Sequence, residues 1–468
     1  MTETWLIKNN ILKPSFSSAQ LSHDVVVPLT IFDKAALNLH VESLHAFKPP
    51  MPSNEVLKNA LSKVLAHFPH FTGRLTVDKQ GHQCIVLNNA GIRIIETYVP
   101  MKLADELPFD PSKDVSYLIP PVDGIDELLQ IQLNRYACGG LVIGHTAHHR
   151  VVDAGSGSFF FVAWGRLVRG LDIEKLPYHD RAAIFVPRNQ LRVDYDHRFL
   201  LEFGQGTTNP KKTTPLSSIT HFITHFSTEI IEKIKALANK QISNPKQRNS
   251  TFECLLAQVW KKGDQARGLE LDEFTEVKLG VNVRRRMKPP VPMEYFGNLV
   301  LSAYPRLTVR EVLMESHAYV AKAIHDAVSM IDNDYIQSFI DFGELSKRNG
   351  EILAGTTPEV GQTLCPNLEV DSWLRFSFHD LDFGGGPPCA FYSPNFPVEG
   401  VLLYENIIKS GDPPLDSSAT KELYDQLQSG VYLEQKKKKY WIDKESRLNC
   451  FMVFPRGLAI TGMEQLFY

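Results

Sequence analysis

The chain has 468 residues, 43% of them hydrophobic, and its 50 Lys and Arg nearly balance its 53 Asp and Glu. This composition is typical of a globular protein with large cores and excludes global disorder. A net charge of −3 argues against a general nucleic-acid-binding or membrane-binding surface. The length predicts two or three domains.

Targeting features and cysteine usage indicate where the protein works. The N-terminal residues have no basic region followed by a long apolar run, so we expect no signal peptide. No apolar run approaches the roughly 18 residues that a transmembrane helix needs. The six cysteines are scattered without a Cys-x-x-Cys pair, which favours reduced thiols. We expect a cytoplasmic monomer that binds neither nucleic acid nor membranes.

Strand and helix patterns alternate along the first half of the chain. An apolar, β-branched run at residues 25–32 predicts a buried strand. Ser53 is expected to cap a helix whose apolar residues recur on one face, namely Leu57, Leu61, Val64, Leu65 and Phe68. Residues 128–133 predict a strand, residues 139–145 its hairpin partner, and residues 159–168 a buried helix.

The periodicity fails at residues 187–218, where charges, Gly and Pro are mixed, and this segment predicts a long linker. We therefore predict a first domain at residues 1–190, a linker at 191–218 and a second domain at 219–468. The last part of the second domain, from about residue 407, is polar and rich in Lys.

The second half repeats the alternation of strands and helices. A strand is predicted at residues 219–226, followed by a helix that Ser227 caps. Ser250 is expected to open a helix at 251–262, and residues 309–328 predict one longer helix. The alternation in both halves favours two α/β domains.

The densest chemical segment contains His145, His148, His149 and Asp153, followed by two glycines. Paired histidines on a helix could bind zinc, but a strand leads into this segment. They could instead be buried structural histidines, because imidazole is often a hydrogen-bonding group in cores. A third interpretation makes His149 a general base, with Asp153 fixing the turn into the next helix.

A second segment, Asp382-Phe383-Gly384-Gly385-Gly386, contains the Asp-Phe-Gly of protein kinases. A kinase is excluded, because the chain has no His-Arg-Asp loop and no Gly-rich loop before a Lys-bearing strand. A phosphate-binding loop would need a following Gly-Lys-Ser/Thr, which is absent from the sequence. The segment is typical of a Gly/Pro turn with positive φ angles.

A third segment has four cations in five residues, namely Arg284, Arg285, Arg286 and Lys288. Such a cluster is either a solvated face or a small anion-binding site. It leads into a proline-rich turn and then Tyr295-Phe296-Gly297-Asn298.

Together these segments resemble the BAHD family, the plant acyl-CoA-dependent acyltransferases. Residues 149–153 match its His-x-x-x-Asp signature, and residues 382–386 match its Asp-Phe-Gly-Trp-Gly signature with Gly385 in place of Trp. Residues 284–298 resemble its Arg-x-Arg-x-x-Pro-Pro-x-Pro and Tyr-Phe-Gly-Asn stretch, and residues 67–75 its Pro-x-x-x-Gly-Arg turn. The resemblance extends from about residue 7 to about residue 404.

The resemblance implies an α/β fold of two similar chloramphenicol-acetyltransferase-like domains. Each domain would be a mixed β-sheet flanked by helices, with a channel at their interface and His149 at its centre. Asp153 would pair with Arg284 as structural support. The second motif would form a structural turn through Asp382, Phe383, Gly384 and Gly386. No metal or cofactor is implied, because acyl-CoA is a co-substrate.

The implied reaction needs a base and a site for CoA. With an unperturbed pKa near 6.5, a histidine such as His149 can take the acceptor's proton at neutral pH, and no covalent intermediate is required. The CoA phosphates call for cations, for which Arg285, Arg286 and Lys288 are candidates. The run of four lysines at residues 436–439 is an alternative, although it is more typical of a solvated loop.

The charge pattern before the second motif predicts the acceptor. In the shikimate and quinate branch an arginine upstream of this block binds the acceptor's carboxylate. Between Arg348 and Arg375 this chain has no Lys or Arg, and it has acids that include Glu359 and Asp371. A cationic amine would therefore be favoured, bound by Glu359, Asp371 and Trp373.

Segments at residues 129–135, 139–144 and 385–388 resemble the agmatine and putrescine hydroxycinnamoyltransferases. We therefore predict transfer of a hydroxycinnamoyl group to an amine. One alternative is an O-hydroxycinnamoyltransferase that acts on an alcohol such as shikimate or quinate. The other is a catalytically impaired binding protein, because residues 407–447 depart from the usual ending of the family.

Overall fold

In a computed structural model, the protein is described at residues 4–16, 25–110, 113–201, 219–240, 242, 244, 248–356, 361–374, 376–393, 398–406 and 446–455. These residues form two large mixed sheets and one small antiparallel sheet. Among them, no helix is long and apolar enough to cross a membrane.

The first large sheet has six strands, and its last strand comes from the second half of the chain. In spatial order they are β1 (Trp5–Leu12), β6 (Ile92–Val99), β7 (Leu129–Tyr136), β8 (Leu141–His148), β3 (His40–Phe47) and β14 (Ala390–Tyr392). The β6–β7 pair is parallel and the others are antiparallel. The small sheet consists of β2 (Val25–Pro28), β5 (Gln83–Leu87) and β4 (Arg74–Val77).

The second large sheet has seven strands. Their order is β11 (Val300–Ala303), β10 (Phe274–Asn282), β13 (Leu368–Ser372), β15 (Val401–Asn406), β16 (Ser446–Pro455) and β9 (Ile219–Ser227), with β12 (Arg306–Thr308) paired to β10. The β10–β13 and β13–β15 pairs are parallel. Strand β16 lies within the divergent tail and pairs with both β15 and β9, so the tail supplies a strand to this sheet.

Helices cover both large sheets. They are α1 (Ile31–Ala35), α2 (Asn54–Leu65), α3 (Pro69–Thr72), α4 (Leu103–Glu106), α5 (Ala154–Val168), α6 (Arg181–Ile184), α7 (Thr228–Ala238), α8 (Thr251–Arg267), α9 (Val309–Met314), α10 (His317–Ser329) and α11 (Asn333–Arg348). The core between α2, α5 and the first sheet contains Trp164, whose Nε1 donates to the Leu57 carbonyl at 2.9 Å. A second core places α7, α8 and α10 against the second sheet.

A third core joins the two halves of the chain. Phe32 of α1 packs edge-on against Phe339 of α11, with ring centroids 5.1 Å apart. The start of the predicted linker is also attached to α11, because the backbone N–H groups of Arg188 and Arg192 donate to Asp341 at 2.9 and 3.1 Å. Residues 202–218 lie outside the described residues.

Two predicted elements are wrong. The strand at residues 25–32 ends at Pro28, and Val25 and Val26 are each 53% exposed rather than buried. Thr30 then caps α1, since its hydroxyl accepts from the Asp33 N–H at 3.1 Å and the Asp33 carboxylate accepts from the Thr30 N–H at 2.9 Å.

The single helix predicted at residues 309–328 is two helices, α9 and α10. Between them Ser316 adopts an extended conformation, and its hydroxyl accepts from the Tyr319 N–H at 3.2 Å. The apolar spacing continues across this break, which is why the periodicity did not reveal it. The predicted hairpin is confirmed as β7 and β8, joined at Gly139 with φ 82°.

Candidate active site

His149 lies in the short loop between β8 and α5 and is held by its backbone. Its N–H donates to the Leu39 carbonyl at 2.9 Å, and its own carbonyl accepts from Asn298 Nδ2 at 2.9 Å. Asn298 also donates to Asp33 Oδ1 at 3.0 Å, and the Asp33 carboxylate forms a buried ion pair with Arg181. The position of the imidazole is therefore set from both halves of the chain.

The half-buried His149 side chain lines a cavity of about 880 Å³. The wall combines residues of β8 and α5 with residues of β10 and β13, so the cavity lies between the two large sheets. Nδ1 of His149 is buried and has no hydrogen-bond partner among the described residues. No described carboxylate accepts a hydrogen bond from this nitrogen, although Asp371 and Glu369 interact electrostatically with the ring.

The other two histidines of the segment belong to the core. His145 stacks on His45 with ring centroids 5.4 Å apart, and His148 packs edge-on against His40 at 5.0 Å. Burial lowers the pKa of both His145 and His148 to about 3, so both are neutral at physiological pH. In the described part of the chain, no group of three His, Cys, Asp or Glu could hold a metal ion.

The Asp153 carboxylate is fully occupied by hydrogen bonds. Oδ2 accepts from Arg284 Nη1 at 2.8 Å and the Leu299 N–H at 3.0 Å, and Oδ1 accepts from Arg284 Nη2 at 3.0 Å and the Ser156 N–H at 2.9 Å. Burial would raise the pKa of Asp153, but Arg284 lowers it further, and the net shift is downward. Four donors use the acceptor capacity of both oxygens, so this carboxylate holds the loop and caps α5.

The second motif forms a turn against α5. Asp382 Oδ1 accepts from the N–H groups of Gly384 and Gly386 at 2.7 and 2.9 Å, and both glycines have positive φ angles, 102° and 94°. The Phe383 ring packs against Trp164 with centroids 4.7 Å apart. A Cβ at position 385 would lie 2.7 Å from the Pro50 carbonyl oxygen, so this backbone excludes the Trp of the family signature.

The three predicted CoA-binding cations have different environments. Arg285 is exposed and lines the cavity. Arg286 also lines it, but its Nη1 donates to the carbonyls of Val328 and Ile331 at 2.8 and 3.0 Å, at the end of α10. Lys288 is exposed in the proline-rich turn. Of the three, Arg285 is the exposed cation that lines the cavity. Residues 436–439 lie outside the described residues.

The predicted acceptor residues meet on β13 and just after it. Asp371 and Trp373 both line the cavity with His149, whereas Glu359 lies outside the described residues. Burial raises the pKa of the Asp371 carboxyl, although His149 opposes that shift. Trp373 and Phe378 line the cavity as an aromatic wall, with their ring centroids 5.9 Å apart. Phe391 stacks on Phe378 at 5.5 Å between centroids.

Sequence reasoning missed two residues on the neighbouring strand β10. Lys278 pairs with Glu369 at 2.9 Å between Nζ and Oε1. Gly280 lines the cavity, and a Cβ there would lie 2.7 Å from Asp371 Oδ1, so the missing side chain makes room for that carboxylate. The burial alternation of β10 was readable in the sequence, but its parallel pairing with β13 was not.

The fold matches those of two proteins of known structure. Vinorine synthase aligns with a TM-score of 0.69 at 19% identity, covering 99% of this chain and 98% of that chain. TRI101 from F. sporotrichioides, crystallised with coenzyme A and T-2, aligns with a TM-score of 0.69 at 16% identity, covering 94% and 96%. The predicted two-domain, chloramphenicol-acetyltransferase-like α/β fold with two mixed sheets is confirmed.

Sequence comparisons then define the family. The model of the Transferase family matches residues 5–404. Tryptamine hydroxycinnamoyltransferase 2 of Oryza sativa subsp. japonica is 44% identical over 85% of this chain and 91% of its own length. Agmatine hydroxycinnamoyltransferase 1 of the same plant is 38% identical over 87% and 93%, and shikimate O-hydroxycinnamoyltransferase of Nicotiana tabacum is 31% identical over 82% and 86%. The chain belongs to this family, the plant BAHD acyltransferases, as its motifs predicted.

Proposed function

We propose that this enzyme transfers a hydroxycinnamoyl group from CoA to the primary amine of a cationic acceptor. The observation that carries the proposal is a carboxylate, Asp371, in the same cavity wall as His149. Relatives that share 44% and 38% identity are named for tryptamine and agmatine as acceptors, which supports an amine.

The acceptor's charge explains the need for Asp371. A primary alkylamine has a pKa near that of lysine, about 10.4, and therefore arrives as an ammonium ion. Asp371 can bind this ammonium, whereas it would repel a carboxylate acceptor such as shikimate. Only the deprotonated amine can attack, so the bound ammonium must first lose a proton to solvent.

His149 then acts as the general base. The amine nitrogen attacks the thioester carbonyl while His149 takes a proton from that nitrogen. The tetrahedral oxyanion collapses, the carbon–sulfur bond breaks, and His149 returns its proton to the CoA thiolate. The amine attacks the thioester directly, so this scheme needs no acyl-enzyme.

The rest of the cavity suits an aromatic acyl group and a phosphorylated donor. Trp373 and Phe378 line the cavity and offer flat faces on which a cinnamoyl ring can stack. Arg285 lines the same cavity, and there we propose that it binds a phosphate of CoA. Ser250, the N-cap of α8, lines this cavity as well.

Release of free thiol tests the proposal. The purified protein is assayed with p-coumaroyl-CoA or feruloyl-CoA and each of tryptamine, tyramine, agmatine, putrescine and shikimate, with His149→Ala as the control. We expect turnover with at least one amine, a loss of at least about 10²-fold in His149→Ala, and a loss of amine turnover in Asp371→Asn. Turnover with shikimate alone would reject the amine acceptor, and thiol release that persists in His149→Ala would reject the base.

A further inference from the structure

Two carboxyl groups of β13, Glu369 and Asp371, line the cavity, and Lys278 of the neighbouring strand β10 lies beside them. We call these three residues the acceptor wall. In the parallel pair of β10 and β13, Lys278 lies opposite Glu369, and Leu279 lies opposite Val370. Leu279 and Val370 are buried in the core at 1% and 0% exposure. Because strand side chains alternate between faces, Lys278 and Glu369 project from the other face, with Asp371 two residues further along β13.

Lys278 and Glu369 form an ion pair within this wall. Nζ and Oε1 are 2.9 Å apart, and the two side chains are 20% and 18% exposed. Burial alone would lower the pKa of Lys278, but Glu369 raises it, so the ammonium stays charged. Tyr304, which interacts with Lys278, remains neutral because burial raises its pKa to about 12.

Among the described residues, the acceptor wall therefore has one ammonium and two carboxyl groups, which sum to one negative charge when both carboxyls are ionised. Oε2 of Glu369 is buried and has no hydrogen-bond partner among the described residues. Without Lys278, Glu369 would be a second carboxylate that requires a cation. The structure thus holds a second anionic group that this lysine neutralises.

We propose that Lys278 makes the enzyme prefer acceptors with one positive charge over acceptors with two. The proposal rests on the amine-transferring function above and narrows its substrate to monocationic arylalkylamines. An arylalkylamine brings one charge for Asp371 and a ring for the aromatic wall of Trp373 and Phe378. A dication such as agmatine or putrescine brings a second charge that meets an already neutralised Glu369.

Variants that change the number of charged groups in the acceptor wall test this inference. Lys278→Met keeps the aliphatic stem, removes the ammonium and leaves two carboxylates. We expect the ratio of kcat/KM for agmatine to that for tryptamine to rise by about tenfold or more, since a charge pair at short range has at least that effect. Putrescine is expected to follow agmatine, and tyramine to follow tryptamine. Assays are run at pH 8, because burial raises the pKa of Glu369 and a higher pH favours its ionised form.

The reverse change and the double variant supply the control. Glu369→Gln leaves the Lys278 ammonium in a wall with no net charge, so kcat/KM for every cationic amine is expected to fall at least about tenfold. Combining Lys278→Met with Glu369→Gln restores one net negative charge on Asp371. The double variant is therefore expected to recover most tryptamine activity and the original preference.

The outcomes separate the two proposals. If amines are turned over but the agmatine-to-tryptamine ratio does not change in Lys278→Met, the proposed role of Lys278 is overturned while the amine function stands. Failure of the double variant to recover would also overturn it, because a packing role predicts additive losses. If the unmodified enzyme acylates only shikimate, both proposals fall.

Discussion

Asp153 and Arg284 show why the acid of the first motif is a poor candidate for contact with substrate. The pair is buried, at 3% and 1% exposure, and connects the loop after β8 to the segment just after β10. A carboxylate with four donors on it orders a loop, because each donor fixes one direction of approach. We propose that Asp153 influences the reaction through the position of His149.

We expect Asp153→Asn to lower stability and activity together. The amide turns one acceptor oxygen into a donor that faces Arg284 and either the Ser156 or the Leu299 N–H, and the buried guanidinium loses its counter-charge. Breaking such a pair costs about 3–5 kcal/mol, measurable by urea denaturation alongside thiol release. Asp382→Asn, at a half-buried pair with Arg169, is the matched control and should cost less. Full activity in Asp153→Asn would contradict the supporting role.

The buried His145 predicts loss of stability on mild acidification. Its pKa is lowered to about 3 in the folded protein, against about 6.5 when unfolded, so below pH 6.5 the unfolded state binds the extra proton. The free energy of unfolding should therefore fall by about 2 kcal/mol per such histidine between pH 6.5 and 5. His145→Gln should flatten this part of the pH profile, and an unchanged profile would contradict the assignment.

Some contacts between single residues could not be predicted from the sequence. The His-x-x-x-Asp spacing located His149 and Asp153 because both belong to one short loop. The contact of Asn298 with Asp33 spans 265 positions, and the pairing of Lys278 with Glu369 depends on a parallel register. Neither contact produces a local pattern in the sequence, so both were found only in the structure.

Among the helices and strands, those bounded by caps and turns were predicted well. Ser53, Ser227 and Ser250 each accept from an N–H three residues on, as their positions before apolar runs predicted. The two errors, at residues 25–32 and 309–328, arose where apolar spacing runs through a cap. Hydrophobic periodicity reports which face is buried, not where one element ends and the next begins.

The break between α9 and α10 provides a prediction about helix stability. Ser316→Ala removes the hydroxyl that caps α10 and should reduce the free energy of unfolding by about 1 kcal/mol. Ser316→Thr keeps a capping oxygen and is expected to retain most of the stability. Urea denaturation of both variants measures the difference, and equal loss in the two would mean that the cap does not contribute.

At the scale of the whole molecule, we propose that the domain boundary lies in the linker predicted at residues 191–218. The boundary in sequence differs from the boundary in space, because β14 from the second half completes the first sheet on β3. Tyr392 of β14 contributes to the first-half core, where its ring lies 5.6 Å from that of Phe109. The second half of the chain therefore supplies a strand to the sheet of the first half.

Because its sheet is completed by β14, we predict that the first half does not fold alone. A fragment of residues 1–201 should bind a hydrophobic dye and show no cooperative melting, since the edge of β3 and its core are left open. Mixing it with residues 202–468 should restore one cooperative transition. The intact chain cleaved at a protease site inserted in the linker is the control. Cooperative melting of residues 1–201 alone would contradict the prediction.

The late positions of β14 and β16 also bear on biosynthesis. Strand β3 (His40–Phe47) is translated early and pairs with β8 on one edge, but its second partner, β14, is translated only near residue 390. Strand β9 is joined to its sheet by β16 (Ser446–Pro455). At ribosomal rates, translation from residue 201 to residue 392 takes on the order of 10–40 s. During that interval an unpaired apolar strand edge protrudes from the nascent chain, and edges of this kind aggregate unless a chaperone covers them. Yield of the enzyme in a heterologous host should thus depend on chaperone supply and translation speed.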